Sequence, residues 1–123
     1  MLDPTVTWRE AVFAGDLVFV SGQFGLNIPN RSGEGESRQA RVAAQTRQSL
    51  KNIAGVLAEN GLTVSDVVRC TVSLASADDY NSMNEEYAKV FPTNQPARTT
   101  VAVQLLVSDA LVEIDCVAYR KRG

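Results

Sequence analysis

Histidine is absent from the 123 residues. Without imidazole there is no Ser-His-Asp triad, no Cys-His pair and no histidine-built metal site. Any chemistry here rests on carboxylates, arginine, hydroxyls, backbone groups or water. Cysteine is scarce: Cys70 and Cys116 stand far apart, outside any CxxC pattern. Two thiols fall short of the four ligands of a zinc site, and a two-cysteine chain is not a disulfide scaffold. They are read as two small buried residues. No apolar run approaches the roughly 20 residues that span a bilayer. The start, Met1-Leu2-Asp3-Pro4, lacks the basic and apolar parts of a signal peptide, so the expectation is a soluble, cytoplasmic protein. A basic excess is missing too. With net charge −2 and a pI of about 5.1, nothing drives binding to nucleic acid or to an anionic membrane.

What is present is an ordinary globular composition, 45% hydrophobic and 21% charged. The length predicts a single domain over residues 1–123. A chain this short buries a modest fraction of its surface, and association with copies of itself would help. Two β-rich runs from Val6 to Val20 flank Gly15-Asp16, a hairpin signal, and Phe24 to Ile28 can add a short strand. The polar, glycine-rich stretch Pro29 to Glu36 reads as an exposed loop, without the Gly-Lys-Ser/Thr of a P-loop. Ala40, Ala43, Arg47, Leu50, Ile53, Ala54 and Leu57 recur at helical spacing, predicting a helix from Ser37 to the stop at Asn60-Gly61.

Val67 to Leu74 alternates as a strand, with Val68, Cys70, Val72 and Leu74 on one face. A second helix, about Asp79 to Phe91, has Ser76 to Asp79 as its cap and Tyr80, Met83, Tyr87 and Phe91 as its apolar stripe. Strands from Ala97 to Leu106 and from Leu111 to Arg120 close the chain as a hairpin turning at Ser108-Asp109. The order predicts one sheet with two crossover helices on the same face. Strand parity then puts Arg69, Thr71, Ser73, Arg98, Thr100, Gln104, Glu113 and Asp115 on the uncovered face, mixed with Ala102, Leu106 and Val117. Such a face is either solvated or covered by another subunit.

Arg98 has the planar fork that holds a carboxylate through two hydrogen bonds, and Glu113 can orient or deprotonate a water. The two would form a hydrolytic pair, although an arginine and a glutamate across a strand pair are more often a structural ion pair.

Several separated motifs, in order, resemble one family. They are Ala14-Gly15-Asp16-Leu17-Val18-Phe19-Val20-Ser21-Gly22-Gln23, Gln45-Thr46-Arg47-Gln48, Asn84-Glu85-Glu86-Tyr87, Pro96-Ala97-Arg98-Thr99-Thr100 and Leu111-Val112-Glu113-Ile114-Asp115-Cys116-Val117-Ala118. Over nearly its whole length the chain is similar to the Rid family of enamine/imine deaminases, also called YjgF-type or L-PSP-type. The resemblance implies a chorismate-mutase-like α+β fold, a single mixed β-sheet with two α-helices on one face. It also implies a homotrimer around an internal barrel, with ligand clefts between subunits.

The implied activity is hydrolysis of 2-imino or 2-enamino acids, such as 2-aminoacrylate and 2-iminobutanoate, to 2-oxo acids and ammonia, without cofactor or metal. By the same resemblance Arg98 grips the substrate carboxylate and Glu113 positions the attacking water. Gly22 lines the cleft and Asn84 lies near the site, while a purely structural role for Asn84 on its helix, capping or packing, has equal weight. Trp8 stands where active deaminases often have tyrosine, keeping a flat wall and one donor but losing the phenol. Thr100 stands where cysteine is common, and its hydroxyl can donate to an anion. Phe24-Gly25 replaces an apolar-proline pair.

Three other readings compete. One is a Rid-fold enzyme for a bulkier imine, suited to Trp8 and Phe24. Another is a ligand-binding or chaperone-like trimer without turnover. The last is RNA cleavage, for which the only basic cluster is Arg120-Lys121-Arg122.

Overall fold

The computed structural model describes residues 5–28 and 36–121. Residues 29–35 of the predicted Pro29 to Glu36 loop and Arg122 of the terminal basic cluster lie outside them. Among the described residues, strands β1 (Ala11–Ala14), β2 (Leu17–Phe24), β3 (Val67–Leu74), β4 (Ala97–Ala102) and β5 (Val112–Tyr119) form one sheet, in the order β1-β2-β5-β3-β4. Helix α1 (Arg38–Glu59) joins β2 to β3, and α2 (Tyr80–Val90) joins β3 to β4. No helix among the described residues is long and apolar enough to cross a membrane.

Helix α1 begins and ends where its residue types dictate. Ser37 accepts a hydrogen bond from the Ala40 amide at 3.1 Å, satisfying one of the free donors of the first turn. At the other end Leu62 N–H donates to Leu57 O and Gly61 N–H to Ala58 O, the paired closure of a Schellman motif. Its inward stripe of Val42, Leu50, Ile53, Val56 and Leu57 packs on Val18, Val20, Val72, Ile114 and Ala118 of the sheet, forming the core. Helix α2 adds Met83 and Tyr87 to the same core. Its start is tied to the start of α1 by Arg38, whose Nε and Nη2 each donate to the buried Asp79 carboxylate at 2.8 Å. A second link joins the helices, since the buried Glu86 carboxylate accepts from Arg47 and Lys89 at 2.6 Å each. Those two cations, Lys89 foremost, hold the Glu86 carboxyl below the ordinary carboxylate range.

The topology departs from the sequence expectation in one consequential way. The closing strands are not a hairpin. β5 lies between β2 and β3, antiparallel to both, while β4 pairs with β3 in parallel on the sheet edge. A helical crossover through α2 delivers β4 parallel to β3, the usual product of a strand–helix–strand unit. The short strand expected over Phe24 to Ile28 does not form, because β2 itself runs on to Phe24.

The face assigned to Val68 also changes. A bulge pairs Val67 with Ala118 and Arg69 with Val117, so Val67 takes the core position and Val68 is 46% exposed. Cys70 and Cys116 are buried as expected but they are not separate thiols. They lie opposite one another on β3 and β5, Cα atoms 4.1 Å apart, and are joined as a disulfide. Only the register between these strands brings the two residues together.

Gly25 follows β2 where the chain passes against α1. A methyl group there would collide with the backbone carbonyl of Gln45. Gln45 is itself fixed, because its buried amide accepts from Leu111 N–H at 2.8 Å and donates to Asp109 O at 3.1 Å. Gly25 and Gln45 together lock the end of β2 and the entry to β5 against one helix.

Candidate functional site

The candidate residues fall into two clusters on opposite faces of the sheet. In the parallel β3–β4 ladder Arg98 is level with Cys70 and Thr100 with Val72, so Arg98 and Thr100 share the helix-covered face. Parity had placed both on the open face, and the correction follows from the partner strand: register against β3, not alternation within β4, decides which side is covered. Glu113 is level with Ser73 on the open face, as expected. With β3 between them and three residues of offset, their Cα atoms stand about 14 Å apart by standard strand spacing. The two are not a cross-strand pair within one chain.

The first cluster is built by β4 and α2. Tyr80, Asn84 and Tyr87 recur at i, i+4 and i+7, one face of the helix, and that face meets Arg98. Arg98 Nη1 donates to Asn84 Oδ1 at 2.7 Å, and Nη2 donates to Tyr80 Oη at 2.8 Å. The guanidinium carbon lies 4.6 Å from the Tyr87 ring centroid and 5.5 Å from that of Tyr80, within cation–π range of both. Burial pushes the Tyr87 phenol up, with Arg98 opposing. Three side chains of one rigid helix therefore fix the guanidinium. Thr100 follows on the same face of β4, half-buried.

The second cluster forms where β2 departs from regular pairing. Val20 pairs with Cys116 and Gln23 with Ile114, so Ser21-Gly22 carries an extra residue against β5. Ser21 anchors the preceding segment there, its Oγ donating to Arg9 O at 2.5 Å and its N–H to Glu10 O at 2.9 Å. Trp8, 60% exposed, precedes the segment those two bonds hold. Trp8, Ser21, Gly22, Phe24 and Glu113 line a pocket of about 300 Å³, a volume suited to a small ligand. Burial first, and the neighbouring Asp115 second, raise the Glu113 carboxyl above its ordinary value. Asp115 is raised by its own burial, with Arg69 opposing.

Gly22 is required by Glu113. A methyl group on Gly22 would stand 2.5 Å from Glu113 Oε2 and 2.9 Å from Cδ. The obstacle is the end of a flexible side chain, so Gly22→Ala should leave the melting temperature within a few degrees of wild type, by roughly 1 kcal/mol or less. The carboxylate must swing away, and turnover should fall about a hundredfold. Thermal denaturation beside steady-state kinetics on one preparation checks both halves.

A larger cavity, about 640 Å³, opens between α1 and α2 and is lined by Arg41, Arg47, Lys51, Ala54, Lys89 and Val90 among others. None of the candidate residues reaches it, whereas Trp8, Gly22 and Glu113 line the smaller pocket. Tyr80 is the residue that sequence reasoning missed. It reads as part of an apolar stripe, yet while Met83, Tyr87 and Phe91 are buried, Tyr80 is 40% exposed with its hydroxyl on Arg98. The signal was its helical spacing from Asn84.

The chain matches the family described as Endoribonuclease L-PSP over residues 1–120. It is 41% identical over 111 residues to Reactive Intermediate Deaminase A, chloroplastic, of Arabidopsis thaliana, covering 90% of this chain and 57% of the plant protein. It is 33% identical over 113 residues to the human 2-iminobutanoate/2-iminopropanoate deaminase, covering 92% of this chain and 80% of the human one. Its fold matches the crystal structure of a YjgF/YER057c/UK114 family member from Mycobacterium tuberculosis with a TM-score of 0.79. That match has 32% identity and covers 94% of this chain and 88% of the other. Matched along almost its whole length in both sequence and fold, the chain belongs to the L-PSP (YjgF/RutC) family, within which relatives carry imine deaminase names.

Proposed function

We propose that this protein hydrolyses reactive 2-imino or 2-enamino acids, such as 2-iminobutanoate and 2-aminoacrylate, to 2-oxo acids and ammonia. The observation that carries the reading is Arg98, fixed by Asn84 and Tyr80 with donors left over for an anion. A guanidinium has five N–H groups, and two are used here. The others can take a substrate carboxylate in charge-assisted hydrogen bonds.

Glu113 supplies the second function. Its carboxylate, raised by burial, is poised to orient a water and draw its proton as the oxygen attacks the imine carbon. The protonated Glu113 then returns its proton to the nitrogen of the tetrahedral adduct. Ammonia leaves as the C–N bond breaks, the C=O bond forms and the hydroxyl proton passes back to the carboxylate. A protonated imine is already electrophilic, so anchoring and proximity supply most of the acceleration. In this scheme Trp8 forms a flat wall of the pocket, Gly22 admits the carboxylate, and Thr100 offers a hydroxyl beside Arg98.

Arg98 and Glu113 act together only if they come from different copies of the chain. The open face of the sheet supports such an assembly. Val12 and Phe19 are opposite one another there and 49% and 45% exposed, and Val101 on β4 is 38% exposed. These apolar side chains share the face with Arg69, Thr71 and Asp115, and exposed apolar surface of this kind marks a site of association. We propose a homotrimer, with each site made of Arg98, Asn84 and Thr100 from one protomer and Trp8, Gly22 and Glu113 from the next.

The test is a coupled assay at neutral pH. A threonine dehydratase generates 2-iminobutanoate in place, and appearance of 2-oxobutanoate is followed with and without this protein. Acceleration is the expected result. An unchanged rate alongside tight binding of 2-oxobutanoate would overturn turnover and leave a ligand-binding role. RNA cleavage is not supported: the overall charge is acidic, and Arg120 is engaged with Asp16 and the Phe13 ring.

A further inference from the structure

We propose that Tyr80 is a substrate-binding residue, donating a third hydrogen bond to the carboxylate that Arg98 holds. The inference rests on the imine-hydrolysis reading and adds to it a residue of this chain's own.

The argument is one of proton positions. Arg98 has donors only, so at the 2.8 Å contact the Tyr80 oxygen is the acceptor. The phenol's own proton therefore points away from the guanidinium and is free for another acceptor. Tyr80 is 40% exposed and its hydrogen bond with Arg98 lies at the surface, so the hydroxyl is within reach of a ligand arriving at the guanidinium. Asn84 holds the other terminal nitrogen in the same way, at 2.7 Å. With both ends pinned, the guanidinium presents its remaining N–H groups in a fixed direction. An anion seated on them lies beside the Tyr80 hydroxyl.

A stripe residue chosen only for packing would be buried like Met83 at 0% or Tyr87 at 4%. Tyr80 instead gives up burial and places a polar atom at the mouth of the arginine cluster. A planar carboxylate has lone pairs for three donors, two from Arg98 and one from Tyr80. An uncharged amide at the same position offers a single oxygen and gains little from the third.

Titration calorimetry with 2-oxobutanoate and with 2-oxobutanamide reads this without requiring turnover. Tyr80→Phe should weaken the acid about tenfold, the scale of one hydrogen bond to a charged group, leave the amide unchanged and leave the melting temperature at the wild-type value. Equal weakening of acid and amide, or no change in either, would overturn the proposal. A second variant separates direct contact from mere support of Arg98. Replacing Tyr80 by 3-fluorotyrosine makes the hydroxyl a better donor and a poorer acceptor. Direct donation predicts acid binding tighter by about two- to threefold. Weaker binding would show that Tyr80 acts only through Arg98, and the proposal would fail. If wild-type protein shows no turnover but these binding shifts appear, the hydrolase reading fails and the Tyr80 assignment stands. If wild type turns over and Tyr80→Phe binds the acid normally, only the Tyr80 assignment fails.

Discussion

Proteins carrying Arg98→Ala and Glu113→Gln are each expected to be inactive alone and to recover activity when unfolded and refolded together. Arg98→Ala removes two charge-assisted hydrogen bonds to the carboxylate, and kcat/KM should fall by about a thousandfold. Either change on its own spoils every site in a homo-oligomer. In a mixed assembly, a site that draws its arginine from the Glu113→Gln chain and its glutamate from the Arg98→Ala chain is intact. Random mixing in equal amounts makes about a quarter of shared sites complete, so about a quarter of wild-type activity should return. The expectation follows from the fold: Arg98 lies on the helix-covered face of β4 and Glu113 on the open face of β5, with β3 between them. Recovery of a quarter requires sites shared between chains. No recovery, with each variant shown to assemble, would mean that one protomer holds both residues in its own site, and the shared-site proposal would be abandoned.

Glu113→Gln is expected to lower kcat by roughly a hundred- to a thousandfold while leaving KM within about a factor of two. Glutamine keeps the shape of the side chain and can still contact a water, but it cannot take the proton. The pH profile is the sharper measurement. Burial and Asp115 both raise the Glu113 carboxyl, so the active carboxylate accumulates only above the ordinary value. The acid limb of kcat/KM in wild type should lie at higher pH than for an exposed glutamate, and it should be absent from the residual activity of Glu113→Gln. Asp115→Asn removes one of the two causes, and the limb should move to lower pH.

Stability runs the other way. Between the ordinary and the raised value the folded protein binds more protons than the unfolded chain, so this group's contribution falls as pH rises through that window. Above that window the ionised Glu113 is a cost to folding. Glu113→Gln should therefore melt at or above the wild-type temperature there, with the difference disappearing as pH falls below the ordinary carboxylate value. A variant that lost both activity and stability at neutral pH would point to a structural glutamate instead.

Much of the local structure was legible because its causes are local. Ser37 and Asn60-Gly61 bound α1 with their own side chain and backbone, and the helical spacing of Leu50, Ile53 and Leu57 names the face that is buried. The candidate residues were legible through motif likeness, which records types and order. Their arrangement was not. Alternation along 97–106 shows a strand with two faces, but not which strand it joins or which face meets a helix.

Three corrections share that origin. The hairpin between the last two strands gave way to a parallel β3–β4 pair because α2 carries the chain across the sheet. Val67 replaced Val68 in the core because one bulge against β5 shifts the parity of everything before it. Cys70 met Cys116 because antiparallel register set them opposite. The sequence by itself determined the two helices, both ends of α1, the chemical types available for catalysis and part of each apolar stripe. Ala40, Arg47 and Tyr80 of the expected stripes are exposed, and Ser76 caps a short turn ahead of α2 rather than α2 itself. Only the tertiary structure decided that Arg98 and Glu113 face opposite sides of one sheet, since strand order and register are set by contacts between distant segments and leave no periodic trace in either one.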